Sequence, residues 1–256
     1  MLKALALLMT LNGLQVGEIE KPVCFPFGVA QPDGRTGYLF NFNKSIDAID
    51  LQTGKRLWRT NLASRPLIAY DETLIAGEVG EKPNIMRILR VSRDGRATLL
   101  ATVEFPPWVN VQPIDGFNLS ITSAIRNHGA EELLLEWRAR SKYVDGANPP
   151  PFIEHAANRQ ASGRIAVRLR NGVVKNERLD SVESDTFLLS QKEKDLIQRI
   201  NEEGVTHACL FDQRIYYQVQ KLHACGVIAR TSESLQFLWE YRLPCPSSPR
   251  PPPLRK

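Results

Sequence analysis

Short apolar runs, broken at close intervals by turn residues, set the texture of residues 34–110. Tyr38–Phe42 is an aromatic and apolar stretch, and Ser45–Leu51 alternates in part. A turn built on Thr53 and Gly54 leads into Arg56–Thr60. Pro66–Tyr70 and Thr73–Ala76 are the next two strand candidates, divided by Asp71 and Glu72. Ile85–Val91 and Ala97–Val103 flank Arg93-Asp94-Gly95, a strong short-hairpin signal. So many short strands at regular spacing predict an antiparallel all-β architecture rather than alternating strand–helix units.

The middle of the chain departs from this texture. Phe105-Pro-Pro-Trp108 interrupts it, because proline supplies no amide to an interior ladder. Asn118–Ile125 and Glu132–Arg140 read as two longer strands; in the second, Leu133, Leu135 and Trp137 share one face. After Pro149-Pro150-Pro151, a short helix is expected at Phe152–Gln160, then strands at Arg164–Leu169 and Val173–Asn176 around Asn171-Gly172. One amphipathic helix is well signalled: Ser190 with Glu193 forms a capping-box pattern, Leu196, Ile197 and Ile200 share a face, and Gly204 can end it. It is read as packing on a blade surface, with partner docking as the alternative. Strands resume at Val205–Phe211, Arg214–Gln220, Gly226–Arg230 and Leu235–Tyr241. The last 13 residues contain six prolines and no apolar period, so 244–256 reads as a disordered or polyproline tail.

Composition narrows the function classes. A chain of 256 residues can bury a substantial core, and 43% hydrophobic with 24% charged residues is ordinary for a globular protein. The net charge of +5 comes from Lys and Arg spread along the chain, so neither a concentrated basic footprint nor a nucleic-acid module is present. Lys3 followed by Ala4–Met9 has the outline of a weak export signal across segment 1–20, with a first buried segment as the alternative. No stretch reaches the length of an integral membrane span. Cys24, Cys209, Cys225 and Cys245 are too few and too unevenly placed to define a disulfide scaffold, although an exported chain could form a single bridge.

The sharpest motif is Ala48-Ile-Asp50-Leu-Gln-Thr53-Gly54-Lys-Arg-Leu-Trp58. Asp50 and Thr53 can hydrogen-bond turn amides, Gly54 tolerates a positive φ, and Trp58 offers a flat surface for wedging sheets together. These five positions resemble the blade signature of the quinoprotein-like (PQQ-like) β-propeller repeat family. Degenerate copies follow: Ala229 and Trp239 keep the ten-residue separation of Ala48 and Trp58. Asp94-Gly95 keeps the hairpin without the tryptophan, and Asn171-Gly172 keeps only a turn. At about 40 residues per blade, the resemblance implies about four antiparallel blades over 21–243, with insertions near 105–165 and 177–204. Such a propeller is divergent or incomplete, closing alone or through a second chain. The resemblance also implies a bacterial protein, with a periplasmic or other extracytoplasmic location. Asn43-x-Ser45 and Asn118-x-Ser120 match the glycosylation sequon, which would be idle there.

Candidate chemistry is sparse. A pyrroloquinoline quinone enzyme, which the family resemblance raises, needs cofactor-holding residues from many blades, and these cannot be placed; no cofactor and no catalytic residue are assigned. His207-Ala-Cys209 and His223-Ala-Cys225 would put four zinc-type ligands together if the two segments paired, but buried strand residues or a Cys209–Cys225 disulfide explain them as well. Phe105 and Trp108 are either an exposed partner anchor or the filling of an inter-blade seam, the seam being favoured. His128 and His155 need no special role. Three functions stand: a non-enzymatic scaffold or interaction propeller, which leads; a redox or hydrolytic enzyme with its site in the inserted segments; and a truncated remnant without independent activity.

Overall fold

Turn residues at short intervals fold the chain into consecutive antiparallel hairpins, and in the computed structural model these form four sheets. The structure describes residues 18–41, 43–112, 117–127, 130–141, 160–177, 191–202, 204–221 and 224–244. Ser190, His128, His155, His223, Cys245, the helix expected at Phe152–Gln160 (save Gln160 itself), most of segment 1–20 and nearly all of the proline-rich tail therefore lie outside the described residues.

The first two described strands are short, β1 (Glu18–Glu20) and β2 (Val23–Phe25). With β3 (Gly28–Ala30), β4 (Thr36–Asn41), β5 (Ser45–Asp50) and β6 (Arg56–Thr60), β2 makes the first blade, ordered β2-β3-β4-β5-β6. The second blade holds β7 (Arg65–Tyr70), β8 (Thr73–Val79), β9 (Ile85–Val91) and β10 (Ala97–Glu104). The third is built from β11 (Phe117–Asn127), β12 (Glu131–Ser141), β13 (Gln160–Arg168) and β14 (Val174–Glu177), with β1 added against β11. Helix α1 (Gln191–Ile200) precedes the fourth blade, β15 (Val205–Phe211), β16 (Arg214–Lys221), β17 (Ala224–Thr231) and β18 (Phe237–Leu243). The described residues are thus all-β in class, four antiparallel sheets with one short helix, arranged as a partial propeller. Strands β1–β3 have no counterpart in the hydropathy pattern, because three-residue strands beside Pro22 and Pro26 are too short to show a period. Segment 105–165 supplies two long blade strands, β11 and β12, ahead of residues 142–159, which lie outside the described set.

Strand alternation decides which neighbour each blade meets. In the first blade, Tyr38, Ile46 and Ala48 pack with Ala69, Leu74, Ala76, Leu89 and Val91 of the second. The opposite face, Leu39 and Ile49, packs with Tyr216, Val227, Ala229 and Trp239 of the fourth. Ile68, Ile75, Met86 and Ile88 carry the second blade onto Leu133, Leu135 and Trp137 of the third. The blades are therefore stacked in the order four, one, two, three. Among the described residues no apolar cluster joins blade three to blade four. Each end face is covered differently. Ala208, Ile215, Tyr217 and Val219 of blade four are covered by Leu196, Ile197 and Ile200 of α1. The far face of blade three carries Arg126, which bonds Glu132 and, at 2.7 Å, Glu177, and Arg164, whose Nε lies 2.9 Å from Glu136.

Each blade ends in a hairpin of one design. Backbone bonds Asp50 N to Lys55 O, Ser92 N to Arg96 O, Arg168 N to Val173 O and Thr231 N to Gln236 O close the four turns at 2.8–3.0 Å. The residue before each acceptor has a positive φ: Gly54 (70°), Gly95 (82°), Gly172 (70°) and Leu235 (57°). Three of these turns receive the preceding blade in the stack. The Trp239 ring lies over Gly54, where an added Cβ would be 2.6–2.8 Å from it, and the Trp58 ring lies over Gly95, at 3.2 Å. At Gly172 the neighbour is the Leu100 carbonyl oxygen, 1.9 Å from such a Cβ. Leu235, on the blade whose outer face meets α1, packs into the helix-side cluster instead. Where the tryptophan is present, a bulge at Leu57 or Leu238 sets Ala48 opposite Trp58 and Ala229 opposite Trp239.

Polar bonds complete the seam between blades four and one. Trp239 Nε1 and Arg214 Nη1 both donate to the Leu51 carbonyl, at 3.1 and 2.8 Å. Asp47, fully buried, accepts from Arg59 Nη2 at 2.8 Å, the Tyr241 hydroxyl at 2.9 Å and Asn41 Nδ2 at 3.1 Å. Arg90 of blade two makes the matching bond to the Leu169 carbonyl of blade three, at 3.0 Å.

Two predictions test these seams by urea unfolding. Gly54→Ala and Gly95→Ala both carry a positive-φ penalty of about 1 kcal/mol and both crowd a ring, but the Cβ at Gly54 would lie 2.6–2.8 Å from Trp239 against 3.2 Å from Trp58 at Gly95, so the larger share of an overpacking cost of about 1–3 kcal/mol falls on Gly54→Ala. Gly54→Ala should therefore have the lower urea midpoint of the two. Burial pushes the Asp47 carboxyl up, but Arg59, Tyr241 and Asn41 outweigh it and hold the group below its usual range. Its contribution is thus complete above the unfolded carboxylate value of about 4 and is lost as pH falls through the lower folded value. Asp47→Asn should cost about 3 kcal/mol at neutral pH and flatten the acid limb of the stability profile.

Candidate functional site

The seam between blades one and two opens at one end into a cleft of about 530 Å³. Its walls come from turns that the local sequence shapes. The β3–β4 connection supplies Gln31, Asp33, Arg35 and Thr36; β6 supplies Leu57 and Trp58; the β7–β8 turn supplies Glu72; the β9–β10 turn supplies Arg93 and Asp94. Asp71 and Glu72 both have positive φ, 44° and 58°, the two-residue turn that matches the twist of a tight hairpin. Asp212 and Gln213 repeat it in blade four at 47° and 59°, so this backbone belongs to the hairpin design and not to the cleft alone.

Trp58 is half-buried: Gly95 lies beneath its ring and Tyr38 beside it, ring centroids 5.8 Å apart. Tyr38 is buried and accepts a hydrogen bond from Gln31 Nε2 at 3.1 Å; burial above all pushes its phenol up. Leu57 beside Trp58 is 53% exposed. Around this apolar floor stand ion pairs of mixed sign. Arg93 meets Glu72 at 2.5 Å, Arg96 meets Asp94 at 2.6 Å, and Arg35 lies 3.9 Å from Asp33. The Asp94 carboxylate is held low, first by the Ser92 hydroxyl, so at neutral pH it is a charged acceptor and not a proton donor. All of these pairs are solvent-exposed and contribute little to stability. The cleft thus joins an aromatic floor to a rim of exposed ion pairs.

The residues singled out in the sequence fall into two seams. Ala48, Asp50, Thr53, Gly54 and Trp58 share one hairpin, in which Asp50 Oδ1 accepts from the amides of Gln52 and Thr53 and from the Thr53 hydroxyl, at 2.9, 2.7 and 2.9 Å. Those bonds hold the Asp50 carboxyl below its usual range against the upward push of burial. Trp58 points into the first–second seam, while Gly54 and Leu51 of the same hairpin receive Trp239 from blade four. Asp94-Gly95 supplies part of the cleft, and the Asn171 side chain accepts from the Val173 amide at 3.3 Å beside Gly172. Phe105 is buried edge-on against Trp137, centroids 5.4 Å apart, and Trp108 packs on the same cluster, so both fill the seam between blades two and three. Phe105 is accordingly not an exposed anchor.

The two histidine–cysteine segments do not pair. β16 lies between β15, with His207 and Cys209, and β17, with Cys225; Cys209 faces Tyr216 and Cys225 faces Gln220 in register. His207 Nδ1 is 3.1 Å from Glu193 of α1. Among the described residues no three His, Cys, Asp or Glu side chains are grouped to hold a metal ion. The cleft residues Gln31, Arg35, Glu72 and Arg93 carried no signal in the sequence beyond being turn residues; only the stacking of two blades brings them together.

Among the described residues no helix is long and apolar enough to cross a membrane. The sequence matches no family model and no curated protein. Solved structures similar to this chain include a europium-containing methanol dehydrogenase (10% identity, TM-score 0.30, covering 90% of this chain and 44% of that one). TolB from Acinetobacter baumannii matches at 10% identity and TM-score 0.25, over 90% of this chain and 55% of TolB. The β-propeller domain of the Trilobed protease from Pyrococcus furiosus, which has an open velcro topology, matches at 8% identity and TM-score 0.28, over 91% of this chain and 84% of that domain. This chain thus spans about half the length of the first two, and all three are distant likenesses to propeller proteins.

Proposed function

We propose that the chain is a non-enzymatic interaction scaffold and that the cleft between blades one and two is its docking site for a protein segment. The observation that carries this reading is the half-buried Trp58 with the exposed Leu57 on the floor of a cleft rimmed by Glu72, Arg93, Asp94 and Arg35. Aromatic anchors surrounded by polar, exchangeable contacts are what protein hot spots use. The cleft walls are anchored from behind by Gly95 and Tyr38, so the floor is preorganised and binding need not order it. An outside partner fits better than a second copy completing the ring, because the end blades already carry α1 and an ion-pair lattice on their outer faces. The resemblance of residues 48–58 to the quinoprotein-like blade signature supports the finer placing within propellers, and an extracytoplasmic location with it.

A photo-crosslinking amino acid placed at Leu57 or at Arg93, in the full chain expressed in its host, should give one adduct of the same mass from both positions. The same probe at Val174, an exposed site on blade three, should not give that adduct. Leu57→Asp, at a site exposed enough to leave stability within about 0.5 kcal/mol, should weaken the Arg93 adduct at least tenfold. Equal labelling at all three positions, or none in the cleft, would sink the proposal.

A further inference from the structure

Blade three leaves part of its innermost ladder unused. β11 is 11 residues long, and β1 pairs with only its last three, residues 125–127. The pairing stops there because Pro22, two residues after Glu20, has no amide to give and leads into β2, which pairs with β3 in blade one. Residues 117–124 are therefore laddered, among the described residues, on the β12 side alone. The described part of the connection before β11 turns elsewhere: Phe105 and Val111 donate their amides to the carbonyls of Asn84 and Pro83 in blade two, at 2.9 and 2.8 Å. Composition does not protect this edge either. Between Leu119 and Ala124 there is no charged residue and no proline, and the register with β12 runs without a bulge. Thr122 is exposed, and its neighbours on either side are half-buried.

We propose that residues 117–124 of β11 are a docking edge for an extended segment of a partner protein, which adds to blade three as a strand in line with β1. A row of open amides and carbonyls is satisfied by another strand and by little else, and β1 already pairs with the same edge in antiparallel register. Side chains set the sequence that fits. Leu119 and Ile121 pack against the cluster between blades two and three, while Ser120 and Thr122 lie on the opposite face. The incoming strand therefore alternates apolar residues, laid beside Leu119 and Ile121, with small polar ones beside Ser120 and Thr122. The setting favours a slim occupant. β11 approaches β7, and Ser123 Oγ donates to the Leu67 carbonyl at 2.6 Å, so blade two flanks the edge. A single extended chain fits beside it, whereas a second copy would have to bring up an edge recessed in the same way. None of these residues lines the cleft between blades one and two, so the two sites stand or fall separately.

The test is amide hydrogen exchange on the full chain, read residue by residue by NMR, alone and with a synthetic peptide alternating valine and threonine between terminal lysines. In the free chain, every second amide within residues 119–124, the set turned away from β12, should exchange like loop amides while the set between them is protected. The peptide at millimolar concentration should slow the open set about tenfold or more. The same peptide N-methylated at every valine and threonine keeps its side chains, loses its amide donors, and should leave exchange unchanged. Slow exchange of both sets in the dilute free chain would mean that the edge is already covered. Protection that grows with protein concentration alone would assign the edge to a second copy. A peptide that protects no open amide, or protects equally well when N-methylated, would remove backbone pairing as the means of recognition. Each of these three results overturns the proposal.

Discussion

The structure depends on a flat indole laid against a turn that has no side chain. Trp239 on Gly54 and Trp58 on Gly95 let one blade sit on the next with its ring against bare backbone. That contact asks two things of the sequence at once. The turn must bend through a positive φ, and its convex surface must stay empty; glycine alone meets both without cost. A ring buries a large apolar area at such a contact, and Trp239 adds a hydrogen bond from its Nε1 to the Leu51 carbonyl. The third seam keeps the glycine and loses the ring: the Leu100 carbonyl comes up to Gly172, and Arg90 supplies the bond to Leu169. The hub of the arrangement is the β5–β6 hairpin. It gives its tryptophan to one neighbour and its glycine to the other, and its Asp47, paired with Arg59 of the same blade, ties blade one to blade four through the Tyr241 hydroxyl.

A stack of blades has two ends, and each end is an exposed sheet face unless something covers it. Here the two ends are treated by different chemistry. Blade four buries its apolar face under Leu196, Ile197 and Ile200, and Arg199 of the same helix donates to the backbone carbonyls of Ser232 and Glu233 in the last hairpin. That hairpin carries Leu235 where the others carry glycine, at φ 57°. Its side chain is held in the helix-side cluster. Blade three meets the problem by composition, with arginines and glutamates opposite one another on adjacent strands: Arg126 with Glu132, and Glu136 with Arg164.

The candidate cleft follows from the same geometry. Where Trp58 leans on Gly95, the loops around them cannot also close, and the space left is lined by whatever those turns carry. In this protein they carry Asp33, Arg35, Glu72, Arg93 and Asp94, paired with one another at the rim. A partner would exchange those exposed pairs for its own at little cost, while the ring and Leu57 supply the apolar contact. On the proposed reading Trp58 serves both stability and recognition: one side of its ring belongs to the seam and the rest of the residue to the cleft.

Much of the fold was legible along the chain. The strand periods, helix α1, and the four described outer hairpins, each marked by Gly54, Gly95, Gly172 or the Ala229–Trp239 spacing, are local properties, because alternation and turn chemistry act over a few residues. The three short strands near Pro22 and Pro26 left no such trace. Which faces meet was not legible either. Ala48 and Ile49 read as one apolar run, but β5 is buried on both sides, one residue serving blade two and the next serving blade four. Nor could spacing show that Cys209 lies beside β2 and away from Cys225, since a whole strand, β16, separates the last two. The repeating hairpin and its glycine turn are written locally in the chain, since these depend on neighbours a few residues apart. The order of the blades, the covering of the two ends and the gathering of the cleft emerge when the blades stack. Those depend on side chains from distant turns meeting across a seam, a relation that no local pattern encodes.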